Sequence, residues 1–360
     1  MNNKLSRREF VRLAGLTSAA FLTACQRILR PTPTVTLPSS TETPTRLPEP
    51  SATGLATPSS SPTSQATHTP TGSALPVVYR TSVIDADGLM NIYNALGRAA
   101  TGNVAVKISS GEPGGHHYLS PDLIAPLVQQ VNGTIVECNT AYGGGRSNTA
   151  SHMKVMQDHG FAAIAQVDVM DAEGTMSLPI SGGIHLQEDI VGSHFANYDF
   201  VIDLAHFKGH AMAGFGGVIK NMSIGIASST GKSLIHSAGK ETTGFGRGTP
   251  QNDFLESMAE AAKGVAEYMG EKILYINVMN NLSVDCDCDS HPAAPTMNDI
   301  GILASLDPVA LDQACVDLVY AAADGGDLIQ RMESRNGIHT LEHAEAIGLG
   351  NRKYQMVSID

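Results

Sequence analysis

The chain has little of what several classes of protein require. Charged residues make up 16% and aromatic residues 5%, there is no tryptophan, and 42% of the residues are hydrophobic, which excludes a disordered chain or a coiled coil. Basic residues are scarce as well. The 23 Lys and Arg stand against 35 Asp and Glu, and the net charge of −12 would repel phosphate backbones, so we exclude nucleic acid as a partner. Nowhere do four of the five cysteines fall at the spacing of an iron–sulfur cluster, so no built-in ferredoxin-type cluster is expected.

The first 25 residues have the pattern of a targeting peptide. Arg7 and Arg8 precede Phe10, a mildly apolar run covers residues 13–24, and Cys25 follows Leu-Thr-Ala. The paired arginines resemble a signal for the twin-arginine translocation machinery, and the segment before Cys25 resembles a bacterial lipobox. We therefore expect an extracytoplasmic protein that is anchored to the membrane by lipidated Cys25. An uncleaved membrane anchor is the alternative.

A tether follows the signal. Residues 31–76 contain ten prolines and twenty serines or threonines, and so few large apolar residues cannot offset the entropy lost on folding. The predicted organisation is a signal peptide (1–25), a disordered Pro/Ser/Thr-rich tether (26–76) and one folded domain (77–360). Because the twin-arginine route exports folded proteins, typically with a cofactor inserted beforehand, it favours a bound metal or cofactor.

In the predicted domain, apolar runs alternate with amphipathic stretches. The predicted strands are 104–108, 134–138, 163–167, 200–204, 273–278, 300–304 and 354–359. The predicted helices are 120–131, 147–159, 253–269, 307–322 and 340–347. Strands that alternate with helices of ten or more residues indicate crossover connections, so we predict an α/β fold with a largely parallel or mixed sheet and flanking helices.

In such folds the chemistry gathers in loops at the carboxyl ends of the strands, and four loops qualify: 109–119, 139–146, 205–217 and 280–298. In the first, a glycine-dense turn holds Glu112, Gly114 and His117, which we interpret as acid–base and binding residues. In the second, Gly145 and Arg146 precede a helix, which suits an anion pocket. A flexible turn with a solvated arginine is the alternative.

The third loop has the highest density of histidine and lysine. Three histidines and two lysines surround a glycine-rich turn and indicate metal binding, acid–base catalysis or ligand binding; they and the key glycines are His206, Lys208, His210, Gly216, Gly217, Lys220 and His236. For Lys220, a solvated surface position or a helix-capping role competes with this interpretation. The nearby stretch from Gly225 to Lys232 is not a P-loop, because five residues rather than four separate its glycines.

The fourth loop carries Cys286 and Cys288, with His291 close by. In an extended chain both thiols would face one side, so the pair could hold a transition metal with ligands from elsewhere. An exported chain could instead oxidise the pair to a strained disulfide. Metal ligands, a redox pair and a structural role all remain open. If the site is shared, this loop and the loop that carries His210 should meet at one edge of the sheet.

In this order, these segments resemble DUF362, an uncharacterised family of which some members carry an iron–sulfur module. The resemblance spans essentially residues 80–360 and rests on 106–107, 111–114, 144–148, 206–210, 214–217, 220–221, 285–288, 299–305 and 307–310. The iron–sulfur module is missing here. The resemblance therefore gives no support to electron transfer through a built-in cluster.

The chain is also similar, more faintly, to the N-terminal domain of nickel-pincer lactate racemases. His210, the Ala-Gly-Phe-Gly-Gly turn at 213–217, Lys220 and His236 stand in that family's order. The similarity implies that His210 is an acid–base residue, Lys220 the attachment point of the cofactor and His236 a nickel ligand. It offers no clear match for that family's other catalytic histidine.

The expected function is a tethered, metal-dependent enzyme, an oxidoreductase or isomerase, that acts on a small anionic substrate. The expected metal ligands are His206, His236, Cys286 and Cys288, and the metal is nickel, iron or zinc. One alternative is a nickel-pincer-type isomerase of 2-hydroxy acids. Others are a lipoprotein that binds a metal or ligand without catalysis, and a domain that survives only as an interaction module.

Overall fold

The computed structural model describes residues 74–360, so the expectations for the signal peptide and for Cys25 lie outside the described residues. An eight-stranded mixed sheet has the order β12-β1-β11-β10-β7-β2-β3-β4. The strands are β1 Val77–Thr81, β2 Val104–Lys107, β3 Thr134–Glu137, β4 Val167–Val169, β5 Thr175–Pro179, β6 Glu188–Gly192, β7 Phe200–His206, β8 Lys208–His210, β9 Gly214–Gly216, β10 Ile273–Met279, β11 Gly301–Ser305 and β12 Gln355–Ser358. The predicted α/β class is confirmed.

Helices cover both faces of the sheet. Within the described residues they are α1 Ala86–Ala95, α2 Pro121–Gln130, α3 Thr149–Asp158, α4 Phe161–Ile164, α5 Val218–Ile226, α6 Ser229–His236, α7 Gln251–Met269, α8 Pro308–Ala321, α9 Gly326–Ser334 and α10 His339–Ala346. In residues 74–360, none of these helices has the length and apolar character needed to cross a membrane.

Side-chain caps explain where several helices begin. Ser120, Asn148, Ser228 and Asp307 each accept a hydrogen bond from a backbone N–H of the first turn of the helix that follows. Asp312 caps α5 in the same way, although it lies in another helix, α8. Its carboxylate accepts hydrogen bonds from the first two backbone N–H groups of α5, at 2.9 and 3.0 Å. These contacts fix the start of α5 beside the loops that follow the central strands.

The central strands set the position of those loops. Strands β10, β7, β2, β3 and β4 are parallel in that order, whereas β11 is antiparallel to both β10 and β1. The segments that follow β2, β3, β7 and β10 therefore leave the same edge of the sheet. The expected meeting of the Cys-x-Cys loop with the His210 loop is confirmed, since a ring nitrogen of His210 and the two sulfur atoms lie within 4.8 Å of one another.

Most predicted elements agree with the structure to within one or two residues, and one is wrong. The stretch 163–167 was predicted as a strand, but Phe161–Ile164 forms a helical turn and the strand begins at Val167. A short apolar run suits a buried helical turn as well as a strand. Strand β1, the β5–β6 and β8–β9 hairpins and helices α1, α5, α6 and α9 have no counterpart in the prediction.

Candidate functional site

The loops at this sheet edge enclose a cavity of about 840 Å³, a volume that suits a small molecule. Helices α5 and α6 form one wall of it. The acidic, basic and histidine side chains of its lining are Lys107, Glu112, Glu137, Arg146, His210, Lys220, Lys232, His236, Asp285 and Asp289. Cysteines 138, 286 and 288 and glycines 143–145 and 225 also line it.

Arg146 ties two of the loops together. Its Nε donates to Glu112 Oε1 at 2.9 Å, its Nη1 donates to Glu137 Oε1 at 3.1 Å, and its Nη2 donates to the hydroxyl oxygen of Tyr142 at 3.1 Å. Glu112 also accepts from Tyr142 and from the backbone N–H of Gly145, at 2.9 and 2.7 Å. All the charges of this network are paired, so Arg146 shapes the cavity and does not present a free fork to an anion.

Glu137 is the buried anchor of the same network. It accepts hydrogen bonds from Ser110 and from His152 Nε2 as well as from Arg146. Burial raises the pKa of Glu137, but the charge of Arg146 and the contact with His152 outweigh that effect and hold the pKa well below its ordinary value. Glu137 is therefore an ionised carboxylate that stabilises the floor of the cavity.

Three lysines bring positive charge into the cavity, and none of them has a carboxylate partner in the part of the chain that the structure describes. Lys107 donates to Asn221 Oδ1 at 3.0 Å and to the carbonyl oxygen of Ile108, and Lys232 donates to the carbonyl oxygens of Ala227 and Cys138. In residues 74–360 the ammonium of Lys220 has no hydrogen-bond partner. The lysines that do form ion pairs in this part of the chain are Lys154, Lys208 and Lys263.

Burial makes these charges costly. It lowers the pKa of Lys107 and of Lys220 to about 8, and for Lys220 the charge of Lys107 adds to the effect. It also lowers the pKa of Lys232. Ionised carboxylates offset only part of this effect, Glu137 for Lys107 and Asp287 for Lys220. Two other nearby carboxyls offer little, because burial raises the pKa of Asp189 to about 8 and that of Asp203 well above its ordinary value. The floor of the cavity therefore favours an added anion.

The hydrogen bonds of His210 define its tautomer. Its Nδ1 accepts from the backbone N–H groups of Met212 and Ala213, at 3.2 and 2.9 Å. Burial and the nearby charge of Lys220 hold the pKa of His210 well below its ordinary value, so the ring is neutral. The single ring hydrogen is then on Nε2, which makes His210 a hydrogen-bond donor to a ligand.

His236 has the opposite arrangement. Its Nδ1 donates to the carbonyl oxygen of Lys232 at 2.6 Å, and its ring packs against Phe245 and Phe254. Burial lowers the pKa of His236 to about 4, so the ring is neutral and the lone pair is on Nε2. A backbone carbonyl that holds one ring nitrogen as a donor is the usual support of a metal-binding histidine.

His206 and Lys208 belong to a buried ion-pair network. His206 Nδ1 lies 3.1 Å from Asp287 Oδ2 and its Nε2 lies 2.7 Å from the carbonyl oxygen of Asn280, so both ring nitrogens face acceptors. Lys208 donates to Asp287 Oδ1 at 2.5 Å. Burial raises the pKa of Asp287, but the charges of His206 and Lys208 lower it to about 2. His206 offers no lone pair to a metal here.

Cys286 and Cys288 are joined by a disulfide in the cavity wall. The backbone N–H of Cys288 donates to Cys286 Sγ at 3.2 Å. In this state the pair offers no thiolate to a metal. Among the other cysteines of residues 74–360, Cys138 and Cys315 are buried free thiols, and burial raises the pKa of both.

The remaining predicted residues divide into two groups. Gly145 lines the cavity, and Gly216 and Gly217 border a smaller space of about 50 Å³ beside Lys220. Gly114 and His117 lie on the first loop but not among the residues that line either space.

Sequence reasoning missed Lys107, Glu137, Lys232 and Asp312. Lys107 and Glu137 end otherwise apolar buried strands, and a charged residue at that position was an available signal. Asp312 carried no such signal, because it lies within the helix α8.

The chain belongs to the family described as "Domain of unknown function (DUF362)", whose pattern matches residues 104–317. No curated protein matches it. One similar solved structure is the lactate racemase apoprotein from Thermoanaerobacterium thermosaccharolyticum, with 13% identity, a TM-score of 0.42 and coverage of 68% of this chain and 57% of that chain. Another is a protein from Thermotoga maritima, with 12% identity, a TM-score of 0.38 and coverage of 72% and 58%. The chain thus spans less than three fifths of either protein.

Proposed function

We propose that this chain is a metal-dependent enzyme that binds a small anionic substrate in the 840 Å³ cavity. The observation that carries the proposal is the set of Lys107, Lys220 and Lys232, three lysines in one cavity of an acidic chain, none of them paired with a carboxylate. A carboxylate or phosphate group would supply the missing charge. Its binding would offset the cost of burying the ammonium groups.

The side chains around the anion suit proton transfer. Lys220 has a pKa of about 8, so near neutral pH a fraction of it is a free amine that can accept a proton from the substrate. His210 presents Nε2–H as a donor that can stabilise negative charge as it develops. The paired charges of Arg146 and Glu112 keep the neighbouring loop fixed. In this proposal His210 acts as a hydrogen-bond donor rather than as the acid–base residue implied by the racemase similarity.

A metal fits this cavity through His236, whose Nε2 lone pair is available. A bound transition metal would supply Lewis-acid chemistry. His206 does not fit as a ligand, because acceptors face both of its ring nitrogens, and Cys286 and Cys288 fit only after reduction. Most of the metal's coordination would therefore have to come from a cofactor or from the substrate.

Anion binding can be measured by isothermal titration calorimetry on the full-length protein. The probes are lactate and inorganic phosphate, and lactamide serves as the uncharged match for lactate. We expect the anions to bind and lactamide to bind at least about tenfold more weakly. In Lys220→Gln, most of the difference in affinity between lactate and lactamide should disappear. The control Lys353→Gln removes the same charge from an exposed site. Equal binding of lactate and lactamide would refute the anionic substrate.

A nickel-pincer-type isomerase of 2-hydroxy acids is the second candidate. The observation that favours it is that Lys220, a lysine with an unpaired amine, lines the same cavity as His236, a histidine with a free lone pair. Protein purified from its own host would then carry an added mass on the peptide that contains Lys220. A carrier without catalysis would show neither the added mass nor turnover.

Export and membrane attachment are a separate proposal, which rests on Arg7, Arg8 and Cys25 in the sequence. Fractionation of cells that express wild type, Arg7→Lys/Arg8→Lys and Cys25→Ser tests it. We expect the arginine variant to stay in the cytoplasm and Cys25→Ser to lose the lipid and leave the membrane fraction. Unchanged fractionation of both variants would refute the proposal.

A further inference from the structure

The Cys286–Cys288 disulfide is poorly suited to holding the fold together. Only one residue, Asp287, lies between its two cysteines, so the bond closes a very short loop and connects no distant elements. Cross-links stabilise a fold chiefly by restricting long loops of the unfolded chain. The loop is already fixed by another contact, since Asp287 is bound to His206 and Lys208. Its position in the cavity wall therefore calls for a different explanation.

The surroundings of the sulfurs suit thiol–disulfide exchange. Both cysteines line the cavity, so a small molecule can reach them. The backbone N–H of Cys288 already donates to Cys286 Sγ at 3.2 Å, and a ring nitrogen of His210 lies within 4.8 Å of both sulfurs. The backbone N–H of Cys288 can stabilise a thiolate on Cys286 as it leaves.

The charges of the cavity select among thiols. Among the described residues, the cations that line the cavity and have no carboxylate partner are Lys107, Lys220 and Lys232. Carboxylates also border the cavity, but most of them are paired: Asp285 with Arg331 at 3.1 Å, and Glu112 and Glu137 with Arg146, which leaves Asp289. An anionic molecule is therefore drawn in more strongly than a neutral one of the same size.

We propose that the Cys286–Cys288 disulfide is a redox centre of the cavity that exchanges electrons with small anionic thiols. The thiolate attacks Cys288 Sγ, the Cys286–Cys288 bond breaks, and its electron pair stays on Cys286 Sγ. A second thiolate attacks the mixed disulfide and releases Cys288. In total, two small thiols become one small disulfide, and their two electrons and two protons convert the protein disulfide into two cysteine thiols. The substrate class rests on the proposed anion-binding function, whereas the redox assignment does not.

Reduction of the oxidised full-length protein by three small thiols tests the proposal under anaerobic conditions. The probes are 2-mercaptoethanesulfonate (anionic), 2-mercaptoethanol (neutral) and cysteamine (cationic), and rates are compared per concentration of thiolate. Alkylation and mass spectrometry of the peptide with Cys286 and Cys288 give the rate. Cys315, which is buried and does not line the cavity, should stay unalkylated and so report an intact fold.

We expect the anionic thiol to react about tenfold faster than the neutral one, and the cationic thiol to react slowest. High salt and Lys220→Gln should each reduce the preference, whereas Lys353→Gln should keep it. If Lys220→Gln does not fold, the salt dependence alone decides. A disulfide that resists all three thiols would overturn the redox assignment, even if calorimetry shows that anions bind. Equal rates for the three thiols would overturn the anionic substrate class.

Discussion

His236 donates its Nδ1–H to the carbonyl oxygen of Lys232, one helical turn earlier in α6, at 2.6 Å. That bond leaves the lone pair of His236 on Nε2, in a ring that lines the cavity. In His210 the backbone bonds are to Nδ1 as acceptor, so the hydrogen is on Nε2. Two histidines of one cavity are thus held in opposite tautomers, one with a free lone pair on Nε2 and the other with a hydrogen on Nε2.

The first prediction concerns metal content. In protein matured in its own host, His236→Gln should reduce the metal to less than about a tenth of the wild-type amount, because the free Nε2 lone pair is lost. His206→Gln is the matched control and should keep its metal, since acceptors face both ring nitrogens of His206. Elemental analysis of both variants decides. Equal loss in the two variants would contradict the assignment of His236.

The sequence predicted the edge of the sheet where the site lies, because parallel strands place their following loops together. Among the residues that line the cavity, it selected Glu112, His210, Lys220 and His236 as candidates, because they stand in glycine-rich loops or next to them. It did not identify Lys107, which lies inside a predicted strand and whose ammonium reaches the cavity only because α5 packs over it at Gly225. The helix α5 itself was not predicted: it begins at Val218, directly after the predicted loop 205–217, in a stretch to which no element was assigned.

The direction of a histidine's hydrogen bonds lies beyond sequence patterns. The sequence alone does not distinguish His206, His210 and His236, so it predicts a metal ligand or an acid–base group at each of them. Their roles diverge because of backbone groups such as Asn280 C=O and Ala213 N–H, whose orientation depends on the folded loop. The burial of Glu137 and of its partner His152 likewise follows from packing between distant segments.

A second prediction separates stability from function at Gly225. An added Cβ there would lie 2.5 Å from the Nζ of Lys107, which must then move. Ala favours helix over Gly by roughly 0.5–1 kcal/mol, so Gly225→Ala should leave the free energy of unfolding within about 1 kcal/mol of wild type. Displacing the ammonium should lower lactate affinity about tenfold. Urea denaturation and calorimetry measure the two effects.

The matched control for that change is Gly326→Ala, where an added Cβ meets nothing within 4 Å. It should change neither quantity. Unchanged lactate affinity in Gly225→Ala would show that the position of Lys107 does not matter for binding.

A third prediction concerns Glu137. Its replacement by Gln leaves Arg146 and His152 without their shared carboxylate, so the free energy of unfolding should fall by about 3 kcal/mol or more. Glu271→Gln, at an exposed position, should cost no more than about 0.5 kcal/mol. Urea denaturation at neutral pH measures both, and a similar small effect in the two variants would contradict the anchoring role.

The same carboxylate predicts acid sensitivity. The pKa of Glu137 is lower in the folded chain than in the unfolded chain, so its contribution is present above the ordinary value of 4.5 and is lost as pH falls below it. Between pH 6 and pH 3.5, wild type should lose more stability than Glu137→Gln does. Parallel losses in the two proteins would assign the acid sensitivity to other groups.

The last prediction is that anion binding and stability respond to pH in opposite directions. Lys107 and Lys220 have pKa values of about 8 in the folded chain and ordinary values of 10.5 when unfolded. Lactate affinity should be constant below pH 7 and fall about tenfold between pH 7 and pH 9 for each lysine whose charge it needs. Over pH 8 to 10.5 the unfolded chain binds more protons than the folded one, so these lysines should raise the free energy of unfolding as pH rises. Calorimetry and urea denaturation over this range test both slopes.

Lys220→Arg, which keeps the charge without titrating, should flatten the fall in lactate affinity, whereas Lys353→Arg should not. A wild-type affinity that stays constant to pH 9.5 would mean that neither ammonium contacts the anion.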